Sequence, residues 1–455
     1  PPLGPEAMRP ARRLRAVAGH LSPQPVATGH GLAPWEKYDA PPATPLDIRL
    51  GLTKEKDVNF PLRWGIVTAS PIASDWIKSL QDVPGASCQA VWARDLERGK
   101  KYAEQHGIKV AHATFSELCR DPDVDIIYIA SKTFDHHWQA MEALQAGKPI
   151  LVEKPFMDTA EQAREVYAAA DKAGVACFEG MWTRFFPAYE HARAALDAGM
   201  IGRVMSVQSD YTDMCYALTA APFAFGRGKE MPVTKAVGAR ATPQKRGPGK
   251  GLLSAGGGSG FAVGGRTVNP AAVSLQYTQQ KGVASIIVSA GRFPERTEIV
   301  GTTGRITIEP PSHHPTALTI YAGFPKRLGK RKPPLEMGED GWEGDWEDFA
   351  LRKHGDNPSA GPFGYVERFD YPLPTPAPRA RGQPPGSRWD GERTITYKGW
   401  NWHGGNQHGF MYQAQAVHRC MAAGLKEFPQ FTRAESMNVM QIIDEINRQC
   451  AEGGF

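Results

Sequence analysis

From Leu62 onward, short apolar runs alternate with longer stretches whose apolar residues recur every three or four positions. LRWGIVTA (62–69), CQAVWARD (88–95), VDIIYIAS (124–131) and KPILVEKP (148–155) predict strands. Runs this short and this poor in polar residues suit parallel strands covered on both faces. Between and after them, IASDWIKSLQDV (72–83), LERGKKYAEQHG (96–107), FSELCRDPD (115–123), FDHHWQAMEALQAG (134–147) and DTAEQAREVYAAADKAG (158–174) predict helices. Gly107 and Gly147 close two of these, and Asp158 is placed to cap the last. Strand–helix repetition over 62–186 predicts an α/β unit, a Rossmann-type doubly wound parallel sheet whose ligand site lies beyond the carboxyl ends of its strands.

After Arg203 the period changes to two, in VMSVQSDYTD, AAVSLQYTQ, VASIIVSA and TEIVGTTGRITIEP. These strands predict a second, α+β unit over 187–455 with a large open, mainly antiparallel sheet. PAYEHARAALDAG (187–199), MYQAQAVHRCMAAGLKEF (411–428) and RAESMNVMQIIDEINRQCA (433–451) are its covering helices. Residues 217–268 and 323–409 fit neither period and are read as insertions, while 1–61 precede the first strand as an extension. Structureless loops of that length inside a domain are uncommon unless they bind something.

Composition changes this picture only locally. Of 455 residues, 41% are hydrophobic and 22% charged, as in soluble domains, but 48 Gly and 38 Pro exceed the usual share and belong in loops and tails. A net charge of +5 on this length creates no global field, so nucleic acid is not an expected partner. The six cysteines show no CxxC pair or metal-ligand spacing, which points to reduced thiols and no metal site. No apolar run is long enough to span a membrane. The Arg-bearing, acid-poor segment MRPARRLRAVAGHLSPQPVATGHG reads either as the remnant of an organellar (mitochondrial or plastid) targeting sequence or as a Pro-rich tail of a cytoplasmic protein. In the second insertion, five cations in 326–332 precede six acids between Glu339 and Asp348, with Trp342 and Trp346 among them. That two-signed stretch is either a docking surface for other protein subunits or a self-neutralising loop.

The candidate chemistry lies in GKPILVEKP (147–155) followed by GMWTRFFP (180–187). Taken alone, Glu153-Lys154-Pro155 is a charged strand end stopped by proline. Together the two stretches resemble the Gfo/Idh/MocA oxidoreductase family, and within it the NADP-dependent dimeric dihydrodiol dehydrogenases. The resemblance runs through residues 62–215 and, more weakly, through IVGTTGRI and 409–450. It implies a cofactor cleft lined by Gly65, Thr68, Ser70, Ile72, Arg94, His136, Glu153, Lys154, Trp182 and Arg184. It further implies that Lys154 is catalytic, its cation steadying a developing alkoxide, that Arg94 receives the NADP 2′-phosphate, and that the open sheet pairs two copies.

Two departures set the functional expectation. The family turn G-x-x-G-x-G-x-I-A places Thr68 and Ser70 at glycine positions; a left-handed Ser70 would cost about 1 kcal/mol, and Pro71 deletes an amide from the anion-binding helix end. The family segment GGGxLLDxGxY, which supplies an acid and a proton-transferring Tyr or His, aligns with GKGLLSAGGGSG, putting Ser254 and Gly258 there. Glycine transfers no proton, so the expectation is a catalytically impaired subunit of a larger assembly, binding NADP if any cofactor. The alternative is an active NADP-dependent dehydrogenase of a dihydrodiol, sugar or polyol, with Tyr211, Tyr216, His403 or His408 supplying the missing group.

Overall fold

The computed structural model describes residues 60–197, 199–211, 213–238, 271–288, 295–322, 365–371 and 409–452, with short paired strands at 242–243, 262–263, 266–267, 396–397 and 400–401. Six parallel strands open the fold: β1 (Leu62–Val67), β2 (Ala86–Trp92), β3 (Val110–His112), β4 (Ile126–Ile129), β5 (Ile150–Glu153) and β6 (Cys177–Gly180), in the order β3-β2-β1-β4-β5-β6. The strand order reverses between β1 and β4, where doubly wound sheets hold their ligands. Every residue of β4, β5 and β6 is buried, as the apolar runs require.

Four of the helices of this unit start where a side chain satisfies the first turn. Helix α1 (Pro71–Leu80) is capped by Ser70, and α2 (Leu96–His106) by Asp95 and, at its end, by Gly107. A capping box of Thr114 and Glu117 opens α3 (Phe115–Arg120), α4 (Thr133–Gln145) follows β4, and Thr159, not Asp158, caps α5 (Ala160–Ala173).

After α6 (Pro187–Asp197), the second sheet combines β7 (Val204–Tyr211), β8 (Val233–Gly238), β9 (Ala271–Tyr277), β10 (Gly282–Val288), β11 (Thr297–Gly301), β12 (Gly304–Ile308), β13 (Ala317–Ala322) and β14 (Tyr365–Asp370). Its order is β14-β13-β12-β11-β7-β10-β9-β8, antiparallel throughout except for the parallel pair β7–β10. Strands β9 and β10 alternate buried and exposed positions strictly, so one face meets the core while Val233, Val237, Val283 and Ile287 stand exposed. At the β8 edge the Gln449 side chain accepts from Ala236 N at 2.8 Å and donates to Thr234 O at 2.8 Å, imitating a neighbouring strand.

Three expectations are corrected. Residues 217–268 are not one insertion, because most of α7 (Met214–Ala224) and all of β8 fall inside that range. Helix α7 is buried on nearly every side, so it lacks the polar stripe by which a helix is read, and Pro222 interrupts its sequence. Likewise β14 lies within 323–409 and extends the sheet. Helix α8 (Phe410–Ala422) covers the first sheet rather than the second, since Phe410 packs its ring 5.7 Å from Trp76 and 4.5 Å from Trp182. Its His418 accepts from Trp64 Nε1 at 3.2 Å and faces Phe60 O at 2.7 Å, tying the chain's end to its first strand. Helix α9 (Arg433–Glu452) bridges the halves, meeting α5, α7 and β8. Among the described residues no helix is long and apolar enough to cross a membrane, and no cluster of ligating side chains could hold a metal ion.

Candidate functional site

Lys154 follows directly on β5 and stands at the carboxyl edge of the parallel sheet. Its ammonium lies 2.5 Å from Asp213 Oδ2 and 4.6 Å from the centre of the Tyr216 ring. Both partners come from the start of α7. Asp213 is the N-cap, accepting from Cys215 N at 3.0 Å through its other oxygen, so the helix start aims the carboxylate. Tyr216, in the first turn, accepts a 2.6 Å hydrogen bond from Trp182 Nε1. Tyr211 and His313 add rings, each 5.3 Å from that of Tyr216.

The electrostatics suit a held cation beside a protonated phenol. Burial opposes the charge on Lys154, but Asp213, Tyr216 and Glu153 outweigh it and keep the ammonium above the usual lysine range. Burial raises the Tyr216 phenol, and the Lys154 cation reverses only part of that rise. Glu153, beneath, is raised by burial, a rise that the 2.6 Å bond from Tyr128 only moderates. One strand over, burial lifts Glu179 to about 7, with Ser436 donating to it.

The expected residues divide into three groups. Thr68, Ser70, Arg94 and Lys154 line the carboxyl edge. Ser70 is extended (φ −123°, ψ 158°), not left-handed, so the anticipated strain is absent. Its hydroxyl donates to Ala130 O at 3.1 Å and accepts from Ala73 N at 3.3 Å, while its own amide donates to Thr68 O at 2.8 Å. The helix-end amide that an incoming phosphate would use is thus already engaged. Arg94 pairs with Asp135, and Arg98 donates to Ala69 O at 2.6 Å.

Gly65, His136, Glu153 and Ile72 serve the scaffold beneath. A Cβ on Gly65 would sit 2.9 Å from Val124 Cγ1 and 3.0 Å from Leu118 Cδ1, so this glycine admits neighbouring side chains. His136 is on α4 rather than in a loop, buried, with Nδ1 3.1 Å from both Pro155 O and Phe156 O. It braces the chain just after Lys154, and burial lowers its pKa. Ile72 packs its side chain into the cluster around Trp64 and Trp76.

Trp182 and Arg184, expected at the cofactor, each have a protein partner. Trp182 orients Tyr216, whereas Arg184 is buried in an ion pair with Glu435 at 3.0 Å, its guanidinium 4.7 and 5.2 Å from the Phe223 and Phe431 rings. Ser254, Gly258, His403, His408, Trp342 and Trp346 lie outside the described residues. The acid facing Lys154 is instead Asp213, and the phenol is Tyr216, one of the alternatives named for the missing group. Asp213 was missed; the signal was an acid three residues before a tyrosine, TDMCY, directly after a period-two strand.

The donor set fits a phosphate-bearing dinucleotide. Arg94, Arg98 and Lys132 gather cations beyond the carboxyl ends of β1, β2 and β4, and Lys154 with Asp213 and Tyr216 stands beyond β5. At the first end such residues can take phosphate; at the second they can hold an oxygen and exchange a proton with it.

Comparison with known proteins shows what the chain is similar to. The Gfo/Idh/MocA family model, described as an oxidoreductase family with an NAD-binding Rossmann fold, matches residues 62–181. A trans-1,2-dihydrobenzene-1,2-diol dehydrogenase of Xenopus tropicalis is 27% identical over 390 residues, spanning 85% of this chain and 97% of that protein. The Bos taurus enzyme of the same name is 41% identical over 152 residues, 33% of this chain and 45% of its own length. Among solved structures, an aldose-aldose oxidoreductase from Caulobacter crescentus complexed with glycerol aligns with TM-score 0.58 at 19% identity, covering 86% of this chain and 98% of that one. A 3-ketoreductase from Actinomadura kijaniata in complex with NADP and TDP-benzene aligns with TM-score 0.56 at 16% identity, covering 85% and 97%. At those identities the structural likeness carries the fold alone.

Proposed function

The chain belongs to the Gfo/Idh/MocA oxidoreductase family, and from that premise we propose that it is a nicotinamide-dependent dehydrogenase interconverting a secondary alcohol, of the dihydrodiol, sugar or polyol class, with its carbonyl. The observation that carries this reading is the Lys154–Asp213–Tyr216 cluster at the carboxyl edge of the parallel sheet. A bound nicotinamide would supply the hydride acceptor or donor. Lys154 would hold the substrate oxygen and lower the cost of its negative charge. Asp213 keeps the ammonium charged and aimed. Tyr216, steadied by Trp182, would return a proton to that oxygen in carbonyl reduction and remove it in oxidation. Because burial raises the phenol's pKa, Tyr216 carries its proton at neutral pH, as carbonyl reduction needs, and the oxidation direction, which needs the phenolate, should accelerate as pH rises. NADP is the favoured form on the strength of Arg94.

The test is turnover of a panel of diols, sugars and polyols by the purified chain with NADP⁺ or NAD⁺. Tyr216→Phe should cut kcat by about 10²-fold or more with little change in KM, and Lys154→Ala should do the same. Unchanged turnover in either variant would remove the corresponding role.

A second reading is supported by Ser70 and Pro71, which leave fewer amides at the α1 end for phosphate. In it, the chain is a catalytically impaired subunit of an organellar assembly that holds partner proteins through its N-terminal extension and its long insertions. A related proposal is that two copies pair through the face bearing Val233, Val237, Val283 and Ile287. The impaired reading requires no saturable signal when the chain is titrated with NADPH. It also requires co-migration with other subunits on gel filtration from native extract.

A further inference from the structure

The carboxyl edge of the first sheet holds an ion pair that the proposed chemistry does not use. Arg94 is rooted after β2, and Asp135 sits in the first turn of α4, after β4. Strands β2 and β4 flank β1 on opposite sides. Their pair therefore bridges the carboxyl end of β1, beside the 68–70 turn and at the reversal of strand order where a dinucleotide enters.

The two members are unequal. Asp135 is the fixed one: its side chain is 12% exposed, against 69% for Arg94. Trp138 Nε1 donates to Asp135 Oδ1 at 3.0 Å, and the Asp135 amide donates to Lys132 O at 2.8 Å. Its place in the first turn of α4 also favours a negative charge. Arg94, long and mostly exposed, is the member free to swing. A phosphate that recruited Arg94 would draw it from Asp135 and bring its own negative charge beside a carboxylate that cannot retreat. Lys132 stands close enough to both for each to act on its pKa: burial lowers it first, Arg94 lowers it further, and Asp135 pulls it back up. It is the cation left beside Asp135 when Arg94 leaves.

We propose that Asp135 is a specificity-determining residue that competes with an adenosine 2′-phosphate for Arg94 and so narrows the chain's preference for NADP(H) over NAD(H). The proposal rests on the nucleotide-binding reading above. Because Arg94 is largely exposed, the competition is modest, a factor of about three to ten in affinity.

The experiment titrates the full-length chain and its Asp135→Asn variant with NADPH and with NADH, following reduced-nicotinamide fluorescence. Asparagine retains an oxygen for Trp138 while removing the charge, and Asp135→Ser serves where Asp135→Asn fails to fold. The expected result is an NADPH Kd tightened about three- to ten-fold with the NADH Kd unchanged within about two-fold. An unchanged or weaker NADPH Kd, or an equal shift for both nucleotides, overturns the role of Asp135 while leaving the nucleotide-binding reading intact. Failure of the parent chain to bind either nucleotide overturns both.

Discussion

Replacing Asp213 by Asn removes one charge from the Lys154–Asp213 pair while leaving an oxygen that can still cap α7 through Cys215 N. At the observed 2.5 Å, Coulomb attraction at an effective dielectric near 20 is about 6–7 kcal/mol before desolvation is subtracted. Deleting one partner of a buried pair typically costs ~3–5 kcal/mol. With side chains 17% and 15% exposed, this pair belongs at the lower end, about 3 kcal/mol. Two-state unfolding of the unit would then show a Tm lowered by about 6–12 °C. The lysine's pKa is raised in the folded state, so the pair's contribution is complete below the ordinary lysine pKa and is lost only as pH climbs through the raised value. The deficit should therefore be constant from about pH 6 to 9. Lys154→Met alone strands Asp213, whereas the double variant Lys154→Met/Asp213→Asn strands neither, so a double-mutant cycle should return a coupling of about 2 kcal/mol. Urea unfolding of the four proteins measures it. A coupling near zero, or a loss under about 0.5 kcal/mol in Asp213→Asn, would refute the claim that this carboxylate holds the lysine.

Gly65→Ala should destabilise the chain by about 1–3 kcal/mol through overpacking against Val124 and Leu118, with nicotinamide-nucleotide affinity unchanged; a selective loss of affinity would return Gly65 to the cofactor. Burial raises Glu179 to about 7 in the folded chain against 4.5 when unfolded, so the parent protein loses stability as pH rises between those values. Glu179→Gln should gain on it over that interval by up to ~3 kcal/mol in urea unfolding, and a pH-independent difference would contradict the raised pKa. Gln449→Ala uncovers Ala236 N and Thr234 O at the β8 edge and should raise aggregation, measured by light scattering at 37 °C, with little change in Tm.

Much of the first sheet was legible because its signals are local. An apolar strand, a capping side chain and a closing glycine each act within a few residues, so β1, β2, β4 and β5 and their helices stand where the periodicity predicts, whereas the short β3 and β6 were not read from it. The one capping error, Asp158 for Thr159, is a shift of one residue between two competent acceptors. The site was only half legible. Lys154 was marked by its strand end and by resemblance, but its counterpart was sought in GKGLLSAGGGSG because the glycine and leucine pattern there matches a motif. Helix α7 carries both groups: Tyr216 was among the alternatives, but Asp213 was not, because burial of the helix on nearly all sides erased the amphipathic pattern that would have revealed it. Ser70 illustrates the converse: a residue read as strained for phosphate binding is relaxed, because its hydroxyl caps the helix it precedes.

Taken by itself, the amino-acid order determined the parallel unit, the period-two sheet and the lysine at a strand end, since each depends on neighbours within one element. Only the tertiary structure decided what faces that lysine. Asp213 is 59 residues away along the chain, and no local rule couples such positions. It was the packing of a nearly buried helix against the second sheet that brought a carboxylate, a phenol and an ammonium within a few ångströms of one another.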